Sequence, residues 1–185
     1  MKKIDFVGEV LKKGTTIGAI LPSSKSLVRK MLSPVNFRNA KIIVELGPGS
    51  GMITKEIIRK KNPSAKLLLF EVNAEFYQYL QTIADGQKEI QIFNRSAELL
   101  PETLQEEGIG CVDYVISSVP LVVLPKRVSE KIIESAYHSL CEEGLYIQYQ
   151  YSLTSRRKLK SIFKDVQVDF TIINVPPAFI YICKR

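Results

Sequence analysis

The stretch Glu45-Leu46-Gly47-Pro48-Gly49-Ser50-Gly51 sets three glycines at alternate positions just behind a carboxylate. Glycine-rich turns from a strand into a helix bring a ligand close to bare backbone. A phosphate-cradling P-loop requires Gly-Lys followed by Ser or Thr, whereas Gly51 is followed by Met52. A dinucleotide fingerprint places its third glycine one residue later and would set a pyrophosphate close to Glu45. Like charges repel in such a pocket, so the acid suits a ligand with a positive end and no phosphate.

Glu71 closes the run "LLLFE", twenty residues after Gly51. From that place an acid accepts hydrogen bonds from both ribose hydroxyls of an adenosine. NAD uses the same device, so Glu71 indicates an adenosine without choosing between ligands, and the loop makes the choice. S-adenosylmethionine is an adenosine with a sulfonium and an ammonium group and without phosphate. Downstream, "NRSAELLP" offers Ser96 and Ala97 where an adenine would sit, although a short polar turn looks the same. Ser117 and Ser118, in "VISSVP", border the place where a methyl group must meet its acceptor. Tyr149 and Tyr151 share one face of a strand, and their rings suit an ammonium that gains methyl groups; tyrosines are also good strand formers. Pro22-Ser23-Ser24 starts a helix whose free N–H groups, with Lys25 and Arg29, suit a phosphate, and an ordinary serine cap fits equally well.

The elements that must hold these groups alternate between short β-rich runs and helical spacings from Lys41 onward. "KIIVEL", "KLLLFEV" (66–72), "IQIFN" (90–94), "VDYVISS" (112–118) and "LYIQYQY" (145–151) read as strands. Their near-continuous Ile, Val and Leu suits a parallel sheet covered on both faces. "VQVDFTIINV" and "AFIYICK" then follow as an antiparallel hairpin. The expectation is one α/β domain with a doubly wound, seven-stranded, mostly parallel sheet and a C-terminal antiparallel hairpin. Ahead of it, Ile4, Val7 and Leu11 recur at helical spacing between lysines, which reads as an amphipathic helix. Residues 1–40 are therefore taken as a basic, membrane- and substrate-facing segment and residues 41–185 as the ligand-binding domain.

Charge separates the two parts. Residues 1–41 hold nine bases against two acids, so the whole net charge of +7 lies there, and the remainder is balanced. A local excess of this kind fits an anionic partner. No apolar run approaches the ~18 residues of a membrane span, and Lys2 and Lys3 are not followed by a secretory signal. Cys111, Cys141 and Cys183 show neither metal-ligand spacing nor the even count of a disulfide framework. They read as reduced, buried thiols in a cytoplasmic protein with no metal. His138 falls in a helix and reads as structural, which leaves a tyrosine hydroxyl, water or a lipid phosphate to take a proton from an amine.

With "ELGPGSG" as a close match to their first motif, the chain resembles the class I S-adenosylmethionine-dependent methyltransferases. The resemblance implies cofactor contacts from Glu45, Gly47, Gly49, Gly51, Glu71, Val72, Ser96, Ala97 and Ser117. Adenine N6-methyltransferases of ribosomal RNA, a further resemblance, carry an Asn (or Asp)-Pro-Pro-Tyr-like signature after the fourth strand. This chain has Ser118 in the Asn position and Leu121 in the aromatic position, so both base-holding groups are missing. "GAILPSSKSLVRKML", "QYQY" and "NVPPAFIY" are together similar to the bacterial phospholipid N-methyltransferases, with Gln150 as a departure. That likeness implies methylation of phosphatidylethanolamine by a monomer, peripheral at the inner face of the membrane. It implies Ser118, Tyr149 and Tyr151 at the reacting amine and Ser23, Ser24, Lys25, Arg29 and Pro120 at the lipid. RNA, or a small soluble amine, is the alternative acceptor.

Overall fold

The computed structural model describes residues 25–172 and 177–185. The amphipathic helix expected around Ile4, Val7 and Leu11, the pair Ser23 and Ser24, and residues 173–176 lie outside the described residues.

Helix α1 (Lys25–Leu32) precedes strand β1 (Ile42–Leu46), and α2 (Met52–Lys60), β2 (Lys66–Phe70), α3 (Ala74–Ala84) and β3 (Ile90–Phe93) follow. A short 3-10 turn (Ala97–Leu99) leads into α4 (Leu100–Glu106), β4 (Val112–Ser117), α5 (Lys126–Ser139), β5 (Leu140–Gln150), α6 (Arg156–Ile162), β6 (Asp165–Thr171) and β7 (Ala178–Lys184). The seven strands form one sheet in the order β3-β2-β1-β4-β5-β7-β6. Strands β1 to β5 pair in parallel, and β7 runs antiparallel to both β5 and β6, as the sequence leads one to expect. The chain winds outward from β1 to β3 and then returns to β4 on the other side of β1. Ligands of such sheets bind outside the carboxyl ends of the strands at this switch point.

Side chains alternate across the sheet, so each strand feeds two cores. Val44, Leu46, Phe70, Val115 and Tyr146 pack with Leu104, Ile132 and Leu159 of α4, α5 and α6. Ile43, Leu67, Leu69, Ile116 and Ile147 pack with Leu27, Met31, Ile57 and Leu80 of α1, α2 and α3. Helix α1 thus contributes Leu27, Val28, Met31 and Leu32 to the core while Lys25 and Arg29 stay exposed. Its direction is fixed at two points. The Lys30 Nζ donates to Asp169 Oδ1 (2.9 Å) and the Phe170 carbonyl at the carboxyl end of β6. Beyond the helix, the Asn36 N–H donates to Tyr114 Oη on β4, whose pairing partner Ile43 lies at the start of β1. Lys25 therefore lies toward the carboxyl edge.

Two expectations need correction. Cys111 and Cys141 are joined in a disulfide, and only Cys183 is a free, buried thiol. Thirty residues separate the pair in sequence, but the parallel pairing of Val112 with Leu140 brings their Cα atoms to 5.0 Å. Strand β5 also begins at Leu140, not Leu145, because Glu142 and Glu143 occupy exposed positions at its start. Their polarity hid the extension.

Candidate active site

At the foot of the glycine loop Glu45 is fully buried as the next-to-last residue of β1. Its Oε2 accepts a 2.7 Å hydrogen bond from Thr54 Oγ1 of α2, and its Oε1 has no partner. Burial pushes its carboxyl up to about 8, the Thr54 hydrogen bond opposes this, and the nearby Glu71 charge adds to it. An unsatisfied buried acceptor of this kind is costly, and a cationic group close to it would relieve that cost. This orphaned oxygen is the feature that fits the cationic tail of S-adenosylmethionine to the site.

Between about 4.5 and 8 the folded chain holds a proton on Glu45 that the unfolded chain has released, so stability falls as pH rises through that window. Glu45→Gln keeps an acceptor for Thr54 and removes the titration. The expected outcome is a variant that gains on the wild type by a few kcal/mol between pH 5 and pH 8. Urea unfolding at several pH values checks it; parallel curves for the two proteins would refute it.

Glu71, one residue past β2, is also buried, and its carboxylate braces the loop. Oε2 accepts from the Gly49 N–H at 2.9 Å and Oε1 from the Asn73 N–H at 2.8 Å. Desolvation raises its pKa, and the N–H bonds from Asn73 and Gly49 pull it back down. The Asn94 side chain donates to the Glu71 carbonyl at 2.7 Å, which ties the end of β3 to the same point. Asn73 also caps α3 by accepting from Glu75 and Phe76. Gly51 requires its residue type: φ is +73°, and a Cβ there would lie 2.7 Å from Ile83 Cδ1 of α3. Gly47, at φ +67°, lies against Val119, so the cofactor loop and the loop after β4 touch.

The other expected cofactor residues are placed around the same edge. Val72 is half-buried beside Glu71, Ser96 caps the 3-10 turn through the Glu98 N–H, and Ala97 is buried in the core. Ser117 is fully buried inside β4, where its Oγ accepts from the Val119 N–H at 3.3 Å and bonds to Tyr146. It supports the loop from below. Ser118 is partly exposed, with its N–H donating to the Leu46 carbonyl. It directly follows Ser117, the last residue of β4, which pairs with Gln148 of β5. Tyr149 and Tyr151 meet edge to face with ring centroids 5.7 Å apart. Pro120 is half-buried in the acceptor loop. His138 lies in the last turn of α5, toward the opposite edge of the sheet, and is not part of this group.

Sequence reasoning missed the residues that hold the acceptor loop. Gln148 and Gln150, both buried in β5, each direct Nε2 to the Val119 carbonyl, at 3.1 and 3.0 Å. Gln148 also donates to the Tyr149 carbonyl at 2.7 Å and accepts from Tyr146 Oη at 2.6 Å. The Leu121 N–H also donates to the Val119 carbonyl, at 2.9 Å, so that oxygen accepts three hydrogen bonds and its acceptor capacity is filled. A signal existed: two glutamines two residues apart put amides on one face of a strand otherwise made for burial.

A doubly wound sheet of this order, with a glycine loop after β1 and an acid after β2, defines the Rossmann-like methyltransferases. The chain belongs to the methyltransferase small domain family, whose model matches residues 19–171. It is 28% identical over 97% of its length to an ornithine lipid N-methyltransferase of Singulisphaera acidiphila, covering 94% of that protein. It is 23% identical over 76% of its length to ribosomal RNA small subunit methyltransferase A of Mycoplasmopsis synoviae, covering 50% of that protein. Two solved structures share the fold. Precorrin-6y C5,15-methyltransferase of Geobacter metallireducens has a TM-score of 0.68 at 16% identity, over 89% of this chain and 90% of that one. Magnesium protoporphyrin IX methyltransferase of Synechocystis, with bound S-adenosylmethionine, has 0.65 at 14%, over 100% of this chain and 86% of that one. The protein is an S-adenosylmethionine-dependent methyltransferase. No helix of the described residues is long and apolar enough to cross a membrane.

Proposed function

We propose that this enzyme methylates the amine of a polar lipid headgroup at an anionic membrane surface. The observation that carries this reading is the acceptor loop. Ser118 and Leu121 replace the groups that hold a flipped adenine, Leu121 is buried, and the Val119 carbonyl is already taken by Gln148 and Gln150. The similarity to an ornithine lipid N-methyltransferase supports a lipid amine as acceptor. Phosphatidylethanolamine and an ornithine-headed lipid present the same chemistry, an amine held close to an interface.

When bound, S-adenosylmethionine supplies an electrophilic methyl group on a sulfonium. In this reading Glu71 accepts the ribose hydroxyls, Gly47, Gly49 and Gly51 give backbone access, and Glu45 faces the cationic tail. Val72, Ser96, Ala97 and Ser117 shape the adenosine side. Ser118, Tyr149 and Tyr151 surround the amine, and Pro120 closes the loop over it. Burial of the amine favours its neutral, nucleophilic form. Lys25 and Arg29, with Ser23 and Ser24, receive the lipid phosphate. Residues 1–40 form the membrane- and substrate-facing segment and 41–185 the cofactor domain, with α1 packed on the sheet and presenting its bases to the lipid. The protein acts as a monomer at the inner face of the membrane.

The test is incubation with labelled S-adenosylmethionine, ribosomal RNA and anionic vesicles that contain phosphatidylethanolamine or an ornithine-headed lipid. Label is expected in the lipid fraction, and the two vesicle types separate the two headgroups. Label confined to RNA would overturn the reading.

A further inference from the structure

Seven large apolar side chains are exposed among the described residues, and six of them occupy one edge of the molecule. Val122 and Val123 lie in the loop after β4, Tyr151 and Leu153 after β5, and Phe170 and Ile172 at the end of β6. Because β6 runs parallel to β5, all three positions face the carboxyl edge, on the half of the sheet away from the cofactor loop. They span three strand spacings, about 14 Å. Their exposures run from 39% to 72%, and contacts hold the row together. Gln150 ties the β4 loop to β5, Tyr181 Oη donates to the Ser152 carbonyl, and Phe170 lies 5.0 Å from Phe179 between ring centroids. Apolar groups gathered on one edge mark an interaction surface more than scattered ones do.

Bases ring this edge. Helix α5 opens on Lys126 and Arg127 and α6 on Arg156 and Arg157, with no acid in either first turn. A base at a helix start is opposed by the helix dipole, so helix stability does not account for the placement. Among the described residues Arg127, Arg156 and Arg157 have no ion pair, and Lys126 reaches Glu130 only at 4.0 Å. The nearby acid Asp169 is already paired with Lys30.

We infer that the loop ends after β4, β5 and β6 form a docking surface for an anionic bilayer, with Val122, Val123, Leu153 and Ile172 entering the interfacial layer and the surrounding bases meeting lipid phosphates. This deepens and rests on the lipid-amine reading, because it brings the bilayer to the mouth of the acceptor site. Aliphatic side chains favour a lipid partner over RNA, whose single strands are held by aromatic stacking. The surface is built from residues that follow β4, β5 and β6, not from residues 1–40.

The test compares the full chain with its Val122→Ser/Val123→Ser/Leu153→Ser variant in sedimentation with phosphatidylglycerol–phosphatidylethanolamine vesicles. Methyl transfer to vesicle lipid and to a short-chain phosphatidylethanolamine below its micelle concentration is read in parallel. The expected result is vesicle binding weaker by at least about tenfold, with short-chain turnover within about twofold of wild type. Unchanged vesicle binding would overturn the inference. A wild type that sediments through this surface yet methylates no lipid would uphold the surface and refute the proposed substrate. Should the variant lose its fold, seen as loss of S-adenosylmethionine binding, Arg127→Glu/Arg156→Glu serves in its place. The same tenfold loss is expected from it, and none would be contrary.

Discussion

Replacing Glu71 with alanine is expected to weaken S-adenosylmethionine binding by about two orders of magnitude. In the proposed function the carboxylate accepts two charge-assisted hydrogen bonds from the ribose, and such bonds contribute roughly 1.5–3 kcal/mol each. It also fixes the loop, since its two oxygens accept from the N–H groups of Gly49 and Asn73. Truncation removes the ribose contact and leaves both donors without their partner. Glu71→Gln is not conservative here. An amide turns one of the two acceptors into a donor and points it at a backbone N–H, so most of the loss is expected to persist. Calorimetric titration of the three proteins with S-adenosylmethionine measures both effects, and equal affinities would refute the ribose role.

The second large effect is expected on turnover. Gln148→Leu/Gln150→Leu removes both side-chain donors to the Val119 carbonyl, leaves only the loop's own Leu121 N–H on it, and so unties from β5 the loop that carries Ser118 and Pro120. Displacement of a reacting group by about 1 Å can cost ~100-fold in rate. We expect kcat to fall by about that factor while cofactor affinity stays within about twofold, since the glycine loop and Glu71 are untouched. The single Gln150→Leu variant retains the Gln148 tie between the loop and β5, and a loss of roughly tenfold is expected. Gln148→Leu also removes the acceptor of the buried Tyr146 hydroxyl, and about 1–3 kcal/mol of stability should go with it. Burial holds the Tyr146 hydroxyl far above its usual pKa, so ionisation offers no relief. Steady-state kinetics with thermal unfolding separates these outcomes. An unchanged kcat in the double variant would show that the glutamines do not position the loop.

The order of elements was legible because the chemistry of burial writes itself into the strands. β1 and β2 are almost wholly apolar, and the acids Glu45, in β1, and Glu71, just past β2, stand out against them as candidates for the ligand. Hairpin and glycine loop followed from Pro176-Pro177 and from the spacing of Gly47, Gly49 and Gly51. What escaped was the pairing across the sheet. The Cys111–Cys141 bridge and the convergence of Gln148 and Gln150 on Val119 depend on β4 and β5 being neighbours in register. Sequence distance conceals such contacts. Helix α1 has two faces: its bases Lys25 and Arg29 are exposed, while Leu27, Val28, Met31 and Leu32 are core residues. A charge count weighs the exposed face of a helix and is silent about the buried one.

The most direct measurement is mass spectrometry of one reaction mixture holding S-adenosylmethionine, ribosomal RNA and anionic vesicles with both amine-bearing lipids. Methyl increments are expected on lipid headgroup amines and none on adenines. Increments on adenines, with every lipid unmodified, would contradict the proposed function.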